Sequence, residues 1–271
     1  MWAFLRVIGG VGMKGFETVI YEKEGEVAWM TFNRPEKLNA LNLKMWTESK
    51  EALELADLDE EVRAVILTGS GRAFCAGDDI GLLKSMGSVE EALDIFASKI
   101  SPMVDKLTSM SKPVIAAVNG IAYGGGCEIV MLCDMAVASS EASFALPEAW
   151  LGALPPLAVV LAPFIVARKK AVEMVLTGAP ISAEEAEKMG LVNCVVPPDK
   201  LKDAAVELAR KTMMCAPTSM RLMKRLLNLQ IKSFQKDVEI ALRDIIMTTQ
   251  TGELKEGTSA FFEKRKARWM P

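Results

Sequence analysis

The stretch VIAAVNGIAYGGGCE, from Val114 to Glu128, decides how this chain folds. Its first five residues, Val114 to Val118, are apolar and run into Asn119-Gly120, the pattern of a buried strand entering a turn. Three glycines, Gly124, Gly125 and Gly126, come next, and the apolar run after them predicts a helix to about Cys133. Amides at a helix start have no intrahelical acceptor, and glycine lets a ligand oxygen approach them. A tight packing turn would use the same glycines. Glu128 weighs on that choice. Its neighbours are almost all apolar, and burying a carboxylate raises its pKa towards the range useful for proton transfer. The competing role for Glu128 is a structural ion pair with an Arg or Lys elsewhere in the chain.

Outward from this stretch the pattern continues. Upstream, TVIYE and VAWMTF within residues 17–32 read as two strands, followed by a helix from Leu43 to Leu58 and a buried strand from Ala64 to Leu67. A helix is expected after Asp79, interrupted around Gly87, and another from Glu90 to Leu107. Downstream, strands are expected near Met135–Ala138 and Ser143–Ala145. Beyond Pro147 the periodicity is helical over 167–176, 183–189, 199–214 and 217–249, with a short strand near 191–196. Alternating strands and helices up to residue 145 imply an α/β layer carrying a helical tail. No internal repeat is visible.

Composition narrows the chemistry. The chain has 271 residues, 51% hydrophobic and 25% charged, with net charge −3 and an acidic pI near 5.4. No basic stripe marks a nucleic-acid or membrane surface. Five scattered cysteines with no C-x-x-C pair argue against a disulfide scaffold and for a reducing cytoplasm. There is no histidine, so a Ser-His-Asp triad, a Cys-His dyad and any His-containing metal site are excluded. Acid–base work therefore falls to carboxylates, Lys, Tyr or Cys. Residues 1–12 are apolar but too short to span a bilayer, and read as a disordered extension upstream of a start at Met13 or as an overlong gene start.

Glu148 follows Pro147 where a strand ends and a helix begins, a position that by itself suits a dipole-favouring carboxylate. Asp134 is assigned to a backbone turn at a helix end. The loop from Gly71 to Ile80 also joins a strand to a helix, and could supply a second amide donor to one oxygen, which together with the glycine turn makes an oxyanion hole. Cys75, without a His partner, reads as a small packing residue.

Together, several stretches resemble the crotonase (enoyl-CoA hydratase/isomerase) family over nearly the whole chain after residue 16. They are Asn33-Arg34-Pro35-Glu36-Lys37-Leu38-Asn39-Ala40-Leu41, Ala73-Phe74-Cys75-Ala76-Gly77, and Asn119-Gly120 through Gly124-Gly125-Gly126-Cys127-Glu128. Others are Phe144-x-x-Pro147-Glu148, Leu176-Thr177-Gly178, Gly190-Leu191-Val192 and the tail from Glu256-Gly257 to Lys264-Arg265. The resemblance implies an α/β fold with a ββα-spiral core over residues 13–195 and a helical C-terminal region, 196–271, that mediates homotrimers or homohexamers.

It further implies an enoyl-CoA hydratase with Glu128 and Glu148 as catalytic pair and the amides of Ala76 and Gly125 as oxyanion hole. Substrate contacts fall on Lys37, Leu38 and Ala40, on Gly77, Asp78, Asp79 and Ile80, and on Gly124, Pro147 and Trp150. Lys264 would reach a CoA phosphate. Coenzyme A enters as part of the substrate, and no metal or other cofactor is needed. Isomerase relatives commonly keep one catalytic carboxylate, so the two glutamates favour hydration over an enoyl-CoA isomerase.

Two departures stand out. Pro155-Pro156 replaces a glycine-rich turn, which stiffens the wall beside the acyl group and resembles cyclic-dienoyl-CoA hydratases. Asp78 stands where a small residue is usual; it suits a helix start but not a nearby CoA phosphate. Some relatives bind RNA, a role that the acidic balance opposes.

Overall fold

The computed structural model describes residues 15–85 and 89–271. The expected extension at 1–12 and the interruption at Gly87 lie outside them. Ten strands form two sheets. The first holds β1 (Val19–Glu24), β2 (Val27–Phe32), β3 (Ala64–Gly69), β5 (Val114–Val118), β7 (Met135–Ser139) and β10 (Cys194–Val196), in the order β1-β2-β3-β5-β7-β10. Apart from the β1–β2 hairpin its pairs are parallel. The second holds β4 (Ala73–Cys75), β6 (Ile121–Tyr123), β8 (Ser143–Ala145) and β9 (Ile181–Ser182), in the order β4-β6-β8-β9.

One step generates both sheets. β3, β5 and β7 each hand the chain, after a short turn, to β4, β6 and β8. This is a structural repeat that the sequence hides, because strands of three residues carry almost no periodicity. Two asparagine ties, from the buried Asn39 and the half-buried Asn119, hold the turns between the sheets. Asn39 Nδ2 donates to the carbonyls of Ser70 and Ala73, at 2.9 and 2.7 Å, and Asn119 Nδ2 donates to that of Gly71 at 3.0 Å.

The inner parallel strands of the first sheet, β2, β3, β5 and β7, are largely buried on both faces, as their continuous apolar runs require. Met30, Leu67, Ala116 and Ala138 face the main core. Trp29, Ile66, Ile115, Ala117 and Val137 face Leu201, Ala205 and Ala209 of a C-terminal helix. Spacing of four residues puts those three on one helix face. The helical region expected from residue 196 is thus packed on the core from its first turns.

The helices are α1 (Leu43–Leu58), α2 (Ile80–Ser85), α3 (Val89–Ile95), α4 (Ser101–Ser109), α5 (Gly125–Leu132), α6 (Ala158–Ile165), α7 (Arg168–Thr177), α8 (Ala183–Met189), α9 (Leu201–Met213), α10 (Pro217–Leu227), α11 (Leu229–Ser233), α12 (Gln235–Gln250) and α13 (Glu253–Phe262). The helix expected from Glu90 to Leu107 is broken by a wide π turn at Phe96–Ile100, just before Pro102. Proline lacks an N–H and crowds the carbonyl four residues back, which a wider turn relieves. The helix expected over 217–249 is three pieces, broken at Asn228 and Phe234. Asp134 does lie just past the end of α5, but it also accepts from Val114 N at 2.7 Å and pairs with the buried Lys224 of α10 at 2.7 Å. It ties the tail to the core.

Candidate active site

α5 begins where β6 ends, and its first residue, Gly125, lies against the loop Ala76–Asp79. Gly77, at φ +93°, makes that approach possible: a Cβ there would stand 2.9 Å from Tyr123 O and 3.2 Å from Gly125 N. Only glycine meets both the positive φ and the close contact. The N–H of Gly125 has no acceptor among the described residues, as expected of a helix start.

The loop's contribution differs from expectation. The N–H of Ala76 donates to Leu38 O at 3.0 Å, so it is not free to hold a substrate oxygen. Gly77 N is turned to Cys75 Sγ at 3.4 Å. The N–H of Asp78 has no acceptor among the described residues, because the bridge to Leu41 uses Gly77 O and Asp79 N instead. Gly126 and Cys127 at the start of α5 also lack a backbone acceptor among the described residues, but Asp78 and Gly125 are the free amides of the two turns that lie side by side, since Gly125 borders both Gly77 and the Asp78 carboxyl. Which way an amide points depends on φ and ψ, and the residue letters carry no such signal.

Glu128, on α5, is buried. Its Oε1 accepts from Leu157 N at 2.9 Å and Ala158 N at 2.8 Å, the entry to α6. No Arg or Lys pairs with it among the described residues. Pro155 and Pro156 have no N–H to offer, so Leu157 and Ala158 supply the first donors after the pair. The Pro-Pro turn, read in the sequence as a wall of the acyl pocket, thus also leads into the seat of Glu128. Burial pushes this carboxyl up to about 7, against the Ala158 hydrogen bond and with a further push from the charge of Asp78.

Glu148 sits on a 3-10 helix, Pro147–Leu151, that starts at a proline. Its Oε2 is buried without any partner, and its Oε1 lies 2.9 Å from where a Cβ on Gly124 would stand. Burial, then the charge of Glu128, holds its pKa well above the ordinary glutamate value. α13 packs against this 3-10 helix, so the tail supports the second glutamate.

The expected substrate contacts gather on one ledge. Leu38 O receives Ala76 N, Leu41 N donates to Gly77 O at 2.8 Å, and Arg34 bridges Ala40 O and Asp79 Oδ2. This brings Lys37, Leu38 and Ala40 beside Gly77, Asp78, Asp79 and Ile80, with Lys37 exposed at the rim. Gly124 and Pro147 flank Glu148. Asp79, not Asp78, caps α2, its Oδ1 accepting from Gly81 N at 3.0 Å. Trp150 is not core: it is 45% exposed and its indole N–H donates to Thr177 O at 2.8 Å. Lys264 is exposed beyond α13, and none of the hydrogen bonds or ion pairs of the described residues links it to the ledge. Cys75 is fully buried, and burial pushes its thiol up to about 12, which suits packing. Sequence reasoning missed Trp46, whose buried indole N–H donates to Asp78 Oδ1 at 3.0 Å.

A buried glutamate, a half-buried one with a buried oxygen, and two free amides converging on one space can hold a developing oxyanion and move protons beside it. Comparison with known proteins agrees with that class of site. The Enoyl-CoA hydratase/isomerase family profile matches residues 22–271, and the chain belongs to this family. A short-chain-enoyl-CoA hydratase of Clostridium acetobutylicum is 41% identical over 92% of this chain and 95% of its own. A crotonyl-CoA hydratase of Syntrophomonas wolfei is 36% identical over 94% and 98%. Among solved structures, a carnitinyl-CoA hydratase from Mycobacterium avium superposes with a TM-score of 0.83 at 35% identity, over 93% of this chain and 98% of that one.

Proposed function

We propose that the protein adds water reversibly across the double bond of a short-chain 2-enoyl-CoA. The observation that carries this reading is the contrast between two glutamates facing one space, one seated on amide donors and one with a buried, unpartnered oxygen. Amide donors favour the ionised form, so Glu128 orients and deprotonates the attacking water. Glu148, kept protonated, delivers a proton to the α-carbon. The oxyanion hole consists of the amides of Asp78 and Gly125, each worth on the order of 3 kcal/mol to the enolate. The CoA portion lies along the ledge of Lys37–Ala40 and Ala76–Ile80, and the acyl group runs towards Pro155-Pro156.

The protein assembles as a homotrimer or as paired trimers, a reading supported by exposed apolar side chains on the tail such as Met214, Leu227 and Phe261. All five cysteines are free, which suits the cytoplasm. Among the described residues no helix is long and apolar enough to cross a membrane.

The test is a spectrophotometric assay with crotonyl-CoA, following loss of the conjugated enoyl-thioester absorbance. Rapid loss is expected, with kcat lowered at least about 100-fold in Glu128→Gln and in Glu148→Gln. Near-full activity in either variant removes that residue from the mechanism. Turnover of 3-enoyl-CoA or a cyclic dienoyl-CoA in its place would replace the reading with an isomerase or a ring-specific hydratase.

A further inference from the structure

The hydration steps use the amide of Asp78 but leave its carboxyl unused, although that side chain lies against Gly125. Trp46, buried on α1, donates its indole N–H to Oδ1 at 3.0 Å. Oδ2 lies against Gly125, 3.2 Å from where a Cβ would stand, with Leu41 Cδ1 at 3.5 Å from the same point. The carboxyl is thus wedged between α1 and the first residue of α5.

Among the described residues, the titratable groups that feel its charge are acids and a thiol. Asp79 and Cys75 come from its own loop and strand, Glu128 from α5 and Glu148 from the 3-10 helix. α1 contributes the neutral indole. Of the two cations of the ledge, Arg34 is turned to Asp79 and Ala40, and Lys37 is exposed at the rim. Among the described residues no ion pair reaches Asp78, and no group of three acidic, Cys or His side chains is spaced to hold a metal ion. An ionised Asp78 would therefore add an uncompensated charge just behind the place where enolate charge develops.

We propose that Asp78 is a positioning residue that sets the strength of the oxyanion hole. Clamped by Trp46, it holds its own amide beside that of Gly125, and its neutral form is the one that lets negative charge build on the thioester oxygen. The carboxyl is suited to this, since burial pushes it up to about 6, opposed by the Trp46 hydrogen bond and aided by Asp79. The inference rests on the acyl-CoA reading only in that a thioester oxygen enters between the two amides.

The probe is acetoacetyl-CoA, a β-ketothioester whose bound enolate is followed by its near-ultraviolet absorbance. Its affinity is measured for the wild type, Asp78→Asn and Trp46→Phe from about pH 5 to about pH 8.5, the range spanning this carboxyl's titration. Asparagine is neutral throughout and keeps an acceptor for Trp46. The ratio of Asp78→Asn to wild-type enolate affinity should climb about tenfold with pH as the native carboxyl ionises. Trp46→Phe removes a donor that favours the ionised form, so the wild-type decline should move to higher pH. A flat Asp78→Asn ratio overturns the tuning while leaving acyl-CoA binding intact. Enolate bound by neither protein at any pH overturns both, since there would be no oxyanion hole to tune. The Asp78→Asn ratio decides alone if the Trp46 variant does not fold.

Discussion

Glu128 and Glu148 are the same residue type facing the same space, yet they are seated in opposite ways. The first accepts two backbone hydrogen bonds at the entry to α6, and its pKa rises only to about 7. The second keeps a buried oxygen with no partner and is raised well beyond the ordinary range, first by burial and then by its neighbour's charge. Amide donors favour the ionised form of Glu128, while burial and the neighbouring charge push Glu148 towards its protonated form. The difference teaches that backbone donors, not side-chain identity, separate the two carboxyls, which in the proposed hydration serve as base and acid.

The largest effect that would break this contrast is expected at Gly124. It has φ +53°, and a Cβ there would meet Glu148 Oε1 at 2.9 Å. Gly124→Ala must displace the acid and strain the turn, so kcat should fall about 100-fold. The ascending limb of the pH profile, set by Glu128, should stay in place. Activity near wild type would mean that the position of Glu148 does not matter to proton delivery.

A smaller effect is expected at the seat of Glu128. Replacing both Pro155 and Pro156 by glycine frees the turn that presents Leu157 and Ala158, weakening the bonds that favour ionisation. The ascending limb should move to higher pH, with kcat reduced about fivefold near pH 6 and the gap closing in alkali. An unmoved limb would show that the prolines shape the acyl pocket alone.

The smallest effect is on stability. A carboxyl whose folded pKa is raised above 4.5 binds more protons folded than unfolded. Its stabilising contribution is therefore present below about pH 4.5 and lost as pH rises towards the folded value. Glu148→Gln removes this dependence, so its Tm relative to wild type should increase by a few degrees between about pH 4.5 and pH 8. A difference constant with pH would mean that Glu148 is not held protonated.

Much of the fold was legible. Long apolar runs such as Ala64–Leu67 and Val114–Val118 declared strands because parallel strands are buried on both faces. The strands β4, β6 and β9 of the second sheet were not declared, since two or three residues have no period to read. The break at Phe96–Ile100 followed from Pro102 and the tertiary packing around it, and local helical pattern outweighed it in the reading. At the site, Glu128 was legible because a carboxylate inside an apolar helix is anomalous by itself. Glu148 was ambiguous, since Pro-Glu at a helix start is ordinary, and it gained meaning only from the family's motif order. Ala76 was misplaced by two positions relative to the free amide, and Trp46 went unnoticed among the apolar residues of α1.

What the sequence determined on its own is the chemistry available. Without a single histidine, and with glutamates set beside glycine turns, proton transfer by carboxylates and charge stabilisation by amides were the remaining tools. What only the tertiary structure decided is the division of labour among those groups. The amides of Leu157 and Ala158 meet a glutamate 29 and 30 residues earlier in the chain, and Trp46 meets a carboxyl 32 residues later. Hydrogen-bond direction and burial arise when distant segments pack, so they set which carboxyl ionises, and a linear string cannot encode them locally.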